Sequence, residues 1–230
     1  MAYQLSLDSC TKACSVALIS LDGPQSAAWF EILDRGHAEI LADKAHMLMQ
    51  EIDIKASDIS QIAVTIGPGT FTGARIALAF ARMFGAARDI PLIAVNSLEA
   101  IAFNAVAKLN LTAGDIVHTA IDARRGQVYF ASYDFEGREL FAPKAIDIEA
   151  AVQKLTAGSL VLGTGRDLLL AEAGGQTDRF EIGDNMHFPH SEVFGNYVKY
   201  RPAETSPPSP LYLRAADAKL PSSHPISFTQ

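Results

Sequence analysis

The chain has 230 residues, 49% of them hydrophobic and 20% charged, an ordinary globular composition with room for one large domain or two smaller ones. Its formal net charge of −7 opposes polynucleotide phosphate unless a local basic patch intervenes, and no apolar run reaches the roughly 18–20 residues that cross a bilayer. Two cysteines, Cys10 and Cys14, are too few for a four-ligand zinc site and allow one bridge at most, so a reducing, cytoplasmic setting is expected.

The opening MAYQLSLDSC lacks a basic segment followed by an apolar one, so no secretory signal is expected. YQLSL, then LDSCTKACSVAL from Leu7, read as strand, tight turn and strand, with AAWFEIL as a third strand. His37 to Ile52 reads as a helix whose core stripe is Leu41, Ala45, Leu48 and Ile52. Ile40 and Met47, seven apart, form a second small apolar line outside that stripe. QIAVTI is a strand and Thr72 to Arg88 a helix with almost no polar face. On that helix Ile76, Phe80, Met83 and Phe84 are the expected core face, and Leu78 and Ala81 fall on the far side. Arg75 and Arg82 make a thin basic line bordered by Ala79 and Ala86. PLIAV is a strand, and Ser97 is placed to cap the helix SLEAIAFNAVAKL.

The pattern then repeats. DIVHTA and IDARRGQVYFAS form a second hairpin, followed by a weaker strand near Glu139 to Phe141 and a helix near Ile148 to Leu155. SLVLG, a helix from Arg166 to Ala173, the strand RFEI and a helix from Ser191 to Tyr200 complete it. Two βββαβαβα units imply an α/β fold of two related lobes, 1–110 and 111–201. A proline-rich segment follows over 202–230, in which PLYLRAADAK packs and LPSSHPISFTQ is expected to be mobile.

GPGTFTG, between a strand and a helix, has the form of an anion cradle, because N–H groups at a helix start lack partners and glycines permit close approach. Asp8, Gly67, Gly69 and Thr70 are the candidate nucleotide contacts. The loop lacks the lysine and hydroxyl of a P-loop, its third glycine stands one place late for a dinucleotide fingerprint, and Pro68 removes a donor. Gly163-Thr164-Gly165 is its counterpart in the second lobe and reads as a tight turn. For the two helices of the first lobe, burial inside the monomer and presentation to another chain both remain open.

LDSCTKACSVAL, RGHAEIL, GPGTFTGARIALAFARMFG, NSLEAIA, IDARRGQVYFASY and PLYLR, in that order from Leu5 to Arg214, resemble the TsaB (YeaZ) family. The resemblance implies a two-lobed actin-like, sugar-kinase-like, Hsp70-like ATPase fold. It implies a non-catalytic subunit in synthesis of threonylcarbamoyladenosine beside the tRNA anticodon, paired with catalytic TsaD and joined by the ATPase TsaE, with TsaC supplying the donor. Self-association as a homodimer, ATP or ADP at the interface of the complex, and tRNA reached only through the complex belong to the same expectation. The family's pairing surface matches the helices 37–52 and 72–88, here Ile40, Lys44, Met47, Glu51, Arg75, Leu78, Ala79 and Arg82. Active ATPases of this fold place a glycine after the first-strand aspartate; Asp8 is followed by Ser9-Cys10-Thr11, so Asp8 reads as a turn cap. The alternative is an ATP-binding small-molecule kinase or ATPase of the same fold. A peptidase finds no H-E-x-x-H motif. His37 and His46, nine apart, have the wrong spacing for one helical face, and His187-Phe-Pro-His190 is broken by proline; both pairs read as surface or capping residues. Arg124 and Arg125 are candidate tRNA contacts by charge alone.

Overall fold

A computed structural model describes residues 1–174 and 183–214. Strand β1 (Tyr3–Asp8) pairs antiparallel with β2 (Ala13–Ser20), Tyr3 opposite Ser20 and Asp8 opposite Ser15. The chain turns back once more as β3 (Ser26–Ile32), and β4 (Ile59–Thr65) and β5 (Leu92–Val95) add in parallel on the other side of β1. The sheet order is β3-β2-β1-β4-β5. The second sheet repeats this plan. Strands β6 (Ile116–Arg124), β7 (Gln127–Asp134) and β8 (Glu139–Asp147) are antiparallel, and β9 (Leu160–Leu162) is parallel to β6, giving the order β8-β7-β6-β9. The expected strand RFEI lies outside the described residues. β8 runs well past Phe141 because it is an edge strand, where Pro143 needs no ladder partner and charged residues face water.

Helices α1 (His37–Glu51) and α2 (Gly73–Ala86) cover one face of the first sheet. Helices α4 (Ile148–Val152) and α5 (Arg166–Glu172) cover the outer face of the second. Between the sheets lie α3 (Ser97–Lys108) and α6 (Ser191–Val198), packed on each other. α3 follows the first lobe in sequence yet packs on β6 and β7, whereas α6 follows the second and packs on β1, β2 and β3. Layer upon layer, the order is helices, sheet, helices, sheet, helices, which is the two-lobed actin-like ATPase arrangement. α3 is buried on nearly every side, as a helix between two sheets must be. Its cap is Asn96, whose side chain accepts the Leu98 N–H at 2.8 Å, and not Ser97, which is buried. No helix among the described residues is long and apolar enough to cross a membrane.

α2 corrects the sequence expectation about which face is core. Its buried residues are Gly73, Ala74, Ala77, Leu78, Ala81 and Gly85. Ile76, Phe80 and Phe84 are only half-buried, and Met83 is 68% exposed. The cause is how closely the helix approaches the sheet. A Cβ on Gly73 would lie 2.2 Å from the Ser9 carbonyl oxygen, and one on Gly85 would lie 2.6 Å from Leu92 Cδ1. Gly73, Ala77, Ala81 and Gly85 recur every four residues, so this small-residue ridge seats against β4 and β1. Leu78 is the large side chain on that seat, 2% exposed; its burial contributes about 1.5–3 kcal/mol.

Candidate functional site

The β1–β2 turn and the glycine loop after β4 meet, and their polar groups are largely spent on each other. The Thr70 N–H donates to the Cys10 carbonyl at 2.8 Å, and the Ser9 hydroxyl donates to the Gly73 carbonyl at 2.8 Å. At the start of α2, the Gly73 N–H donates to Thr70 Oγ1, the Ala74 N–H to the Thr70 carbonyl, the Arg75 and Ile76 N–H groups to the Thr72 carbonyl, and the Ala77 N–H to Ser9 Oγ. Those are the donors an anion would need. Gly69 is required for the same contact, since a Cβ there would stand 2.0 Å from the Cys10 carbonyl oxygen. The glycines therefore bring loop onto turn. Gly67 accepts the Ser97 N–H at its carbonyl and is left-handed, with φ +102°. The second lobe repeats the device: a Cβ on Gly163 would meet the Ala120 carbonyl oxygen at 2.1 Å, and the Gly165 N–H donates to that oxygen.

Asp8 caps its turn, accepting the Cys10 N–H at 3.1 Å and the Thr65 hydroxyl at 2.5 Å through Oδ1. Asp122 does the same in the second lobe, accepting the Arg124 N–H at 2.7 Å. Asp8 is fully buried, and its Oδ2 has no partner among the described residues. Burial pushes the Asp8 carboxyl up from 3.8 to about 7, against the opposing hydrogen bonds from Thr65 and Cys10. The protonated form is thus favoured on folding. Stability from this group is full below the unfolded value near 4 and is lost as pH rises through about 7. Between pH 5 and pH 8 the wild type is expected to lose on the order of 2 kcal/mol relative to Asp8→Asn, measured as the difference in urea midpoints. Parallel curves for the two proteins would show that Asp8 ionises without penalty. Burial pushes the Cys10 and Cys14 thiols up to about 12, so neither is poised as a nucleophile.

Beside the turn, α1 and α2 leave an apolar groove of about 460 Å3. Ala38, Leu41 and Ala42 form one wall, and Ile76, Ala79, Phe80 and Met83 the other, with Phe71 at the end. Phe71 is 67% exposed. Of the residues expected on a pairing surface, Arg75 and Ala79 line this groove. Leu78 does not: it is sealed in the core, because the helix turns its small-residue ridge and Leu78 to the sheet. Ile40, Lys44, Met47 and Glu51 share one stripe of α1, on the opposite flank from Ala38 and Ala42 at about 100° per residue. On that flank the Lys44 ammonium lies 4.9 Å from the Trp29 ring and Met47 is 43% exposed. Arg82 is half-buried, and its guanidinium donates to the Pro207 carbonyl and the Ser209 hydroxyl, both at 3.3 Å. It thereby holds the C-terminal strap, which also donates the Leu211 N–H to the Ile66 carbonyl. Sequence reasoning missed Phe80 and Met83 as groove residues because large apolar side chains read as core, and it gave Phe71 no role; the four-residue spacing of Gly73, Ala77, Ala81 and Gly85 was the available signal.

The second histidine pair has structural partners. His190 stacks on Phe30 with ring centroids 3.9 Å apart, and His187 Nδ1 accepts the Gly163 N–H at 3.1 Å. No cluster of three or more metal-ligating side chains occurs among the described residues.

Residues 31–182 match the family model described as TsaD, tRNA N6-adenosine threonylcarbamoyltransferase. The tRNA threonylcarbamoyladenosine biosynthesis protein TsaB of Escherichia coli K12 is 33% identical over 168 residues, which is 70% of this chain and 71% of that protein. A Pseudomonas aeruginosa structure described as similar to the peptidase YEAZ superposes with a TM-score of 0.78 at 27% identity, covering 93% of this chain and 100% of the other. A second, YeaZ from Pseudomonas aeruginosa, gives 0.73 at 27% identity over 87% and 92%. With duplicated lobes, a glycine loop closed onto its own turn and these relatives, the chain belongs to the TsaB (YeaZ) family.

Proposed function

We propose that this chain is a non-catalytic subunit that docks TsaD, through the α1–α2 groove, for threonylcarbamoyl transfer to the tRNA adenosine next to the anticodon. The groove carries the reading. Its floor is apolar, its rim residues Phe71 and Met83 are each about two-thirds exposed, and apolar surface of this kind is stable when another chain covers it. The spent donors at the start of α2 support a role without phosphate chemistry, against the kinase or ATPase alternative. ATP or ADP would then enter at the interface of the complex, and TsaE would join the TsaD-bound pair. In the absence of TsaD, a second copy of this chain can cover the same groove, which makes the homodimer a competitor of the heterodimer. Mixing the purified chain with TsaD should give a heterodimer on a sizing column, and adding TsaE with ATP should shift it further. Separate elution of the two chains at micromolar concentration would overturn the reading.

A further inference from the structure

A second cleft, of about 750 Å3, opens between the start of α2, the β6–β7 turn and the C-terminal strap. Its lining includes four arginines, Arg75, Arg124, Arg125 and Arg214, and no acidic side chain, on a chain whose net charge is −7. The arginines are interleaved with rings, chiefly Tyr129 and Tyr212. Arg75 already shows the stacking mode: its guanidinium carbon lies 3.3 Å from the centre of the Phe71 ring and 5.4 Å from that of Tyr212. The ion pair between Arg124 and Asp122 is long, at 3.8 Å, and the Arg124 side chain is 83% exposed. The β6–β7 turn adds an independent observation. Arg124 and Arg125 both sit in the left-handed region, at φ +64° and +56°. Left-handed positions in hairpins favour asparagine or glycine, and an ordinary L-residue there is strained. Two arginines are held in that strained form with their side chains at the cleft.

We propose that this cleft binds a segment of single-stranded RNA, with the arginines on successive phosphates and an unpaired base on Tyr129 or Tyr212. Arginine with aromatic faces is the chemistry of single-strand grooves, which need no sequence readout. A free nucleotide is the weaker fit. A glycine loop at a helix start holds phosphates on its backbone N–H groups, and those at the adjoining start of α2 are already engaged by Thr70, Thr72 and Ser9. The inference goes beyond the docking proposal and does not require it.

The test is fluorescence anisotropy of the intact chain with a labelled single-stranded oligoribonucleotide at low salt. Saturable binding is expected, with a slope of log affinity against log salt of about −2 to −3 for three or four phosphates. The double variant Arg124→Glu, Arg125→Glu should weaken binding by about tenfold or more and flatten that slope. Tyr212→Ala should weaken binding with the slope unchanged. Thermal melts of each variant confirm folding, and co-elution with TsaD is measured separately, so that failure of docking and failure of RNA binding are told apart. Absence of binding by the folded chain at low salt, or equal affinity in the arginine variant, would overturn the proposal. ATP that saturates the chain in the same range and displaces the RNA would replace it with a free-nucleotide site.

Discussion

Replacing Met83 or Ala79 with glutamate should abolish co-elution with TsaD while leaving the thermal unfolding of the chain within about 0.5 kcal/mol of wild type. Both residues line the groove and are exposed in the free chain, so the new charge is solvated until a partner arrives. On docking, a carboxylate at position 83 would be buried without a counter-charge, which costs about 3–5 kcal/mol, or roughly a hundredfold to a few thousandfold in affinity; at position 79, one turn from Arg75 in the same groove, the cost is smaller. Leu78 provides the contrast. It lies four residues from Arg82 and one from Ala79, yet it is in the core. Leu78→Ala should cost about 2–5 kcal/mol of folding stability and affect docking only through unfolding. Sizing-column co-elution read beside urea denaturation separates the two outcomes. If Met83→Glu and Ala79→Glu dock normally, the groove is not the pairing surface.

Gly69→Ala should destabilise the chain by about 3 kcal/mol or more, with no ligand present. The new methyl would stand 2.0 Å from the Cys10 carbonyl oxygen and 2.8 Å from its carbon. Both are backbone atoms, so one loop must move, and the hydrogen bond from the Thr70 N–H to that carbonyl is lost with the movement. Gly23→Ala is the control: a Cβ there meets only Ser20 Oγ, at 3.6 Å, and stability should stay within about 0.5 kcal/mol. The pair decides what the glycine loop is for. A loop kept open for phosphate would tolerate a methyl in the free protein and lose only ligand. A loop folded onto its own turn must lose stability. Equal unfolding midpoints for Gly69→Ala and wild type would return the loop to the phosphate reading.

Much of the architecture was legible in the linear chain. The duplicated run of strand, turn, strand and alternating helices shows in LDSCTKACSVAL and IDARRGQVYFAS, because hairpin alternation and helical periodicity are local patterns that neighbouring residues impose on one another. Asp8 as a turn cap followed equally locally, since an aspartate readily accepts from the backbone of its own turn. Three matters were not local. The core face of α2 was displaced, with Ile76, Phe80 and Phe84 packed only at the edge of the core, because which side of an apolar helix is most buried depends on how near the sheet stands, and contact with Ser9 and Leu92 admits only small residues. The strap that engages Arg82 joins residues more than a hundred positions apart, and the arginine cleft gathers α2, the β6–β7 turn and the strap. Periodicity thus determined which elements form and in what order; the tertiary structure alone decided which surfaces they leave uncovered, since an exposed face is a property of what packs opposite it and not of the residues that compose it.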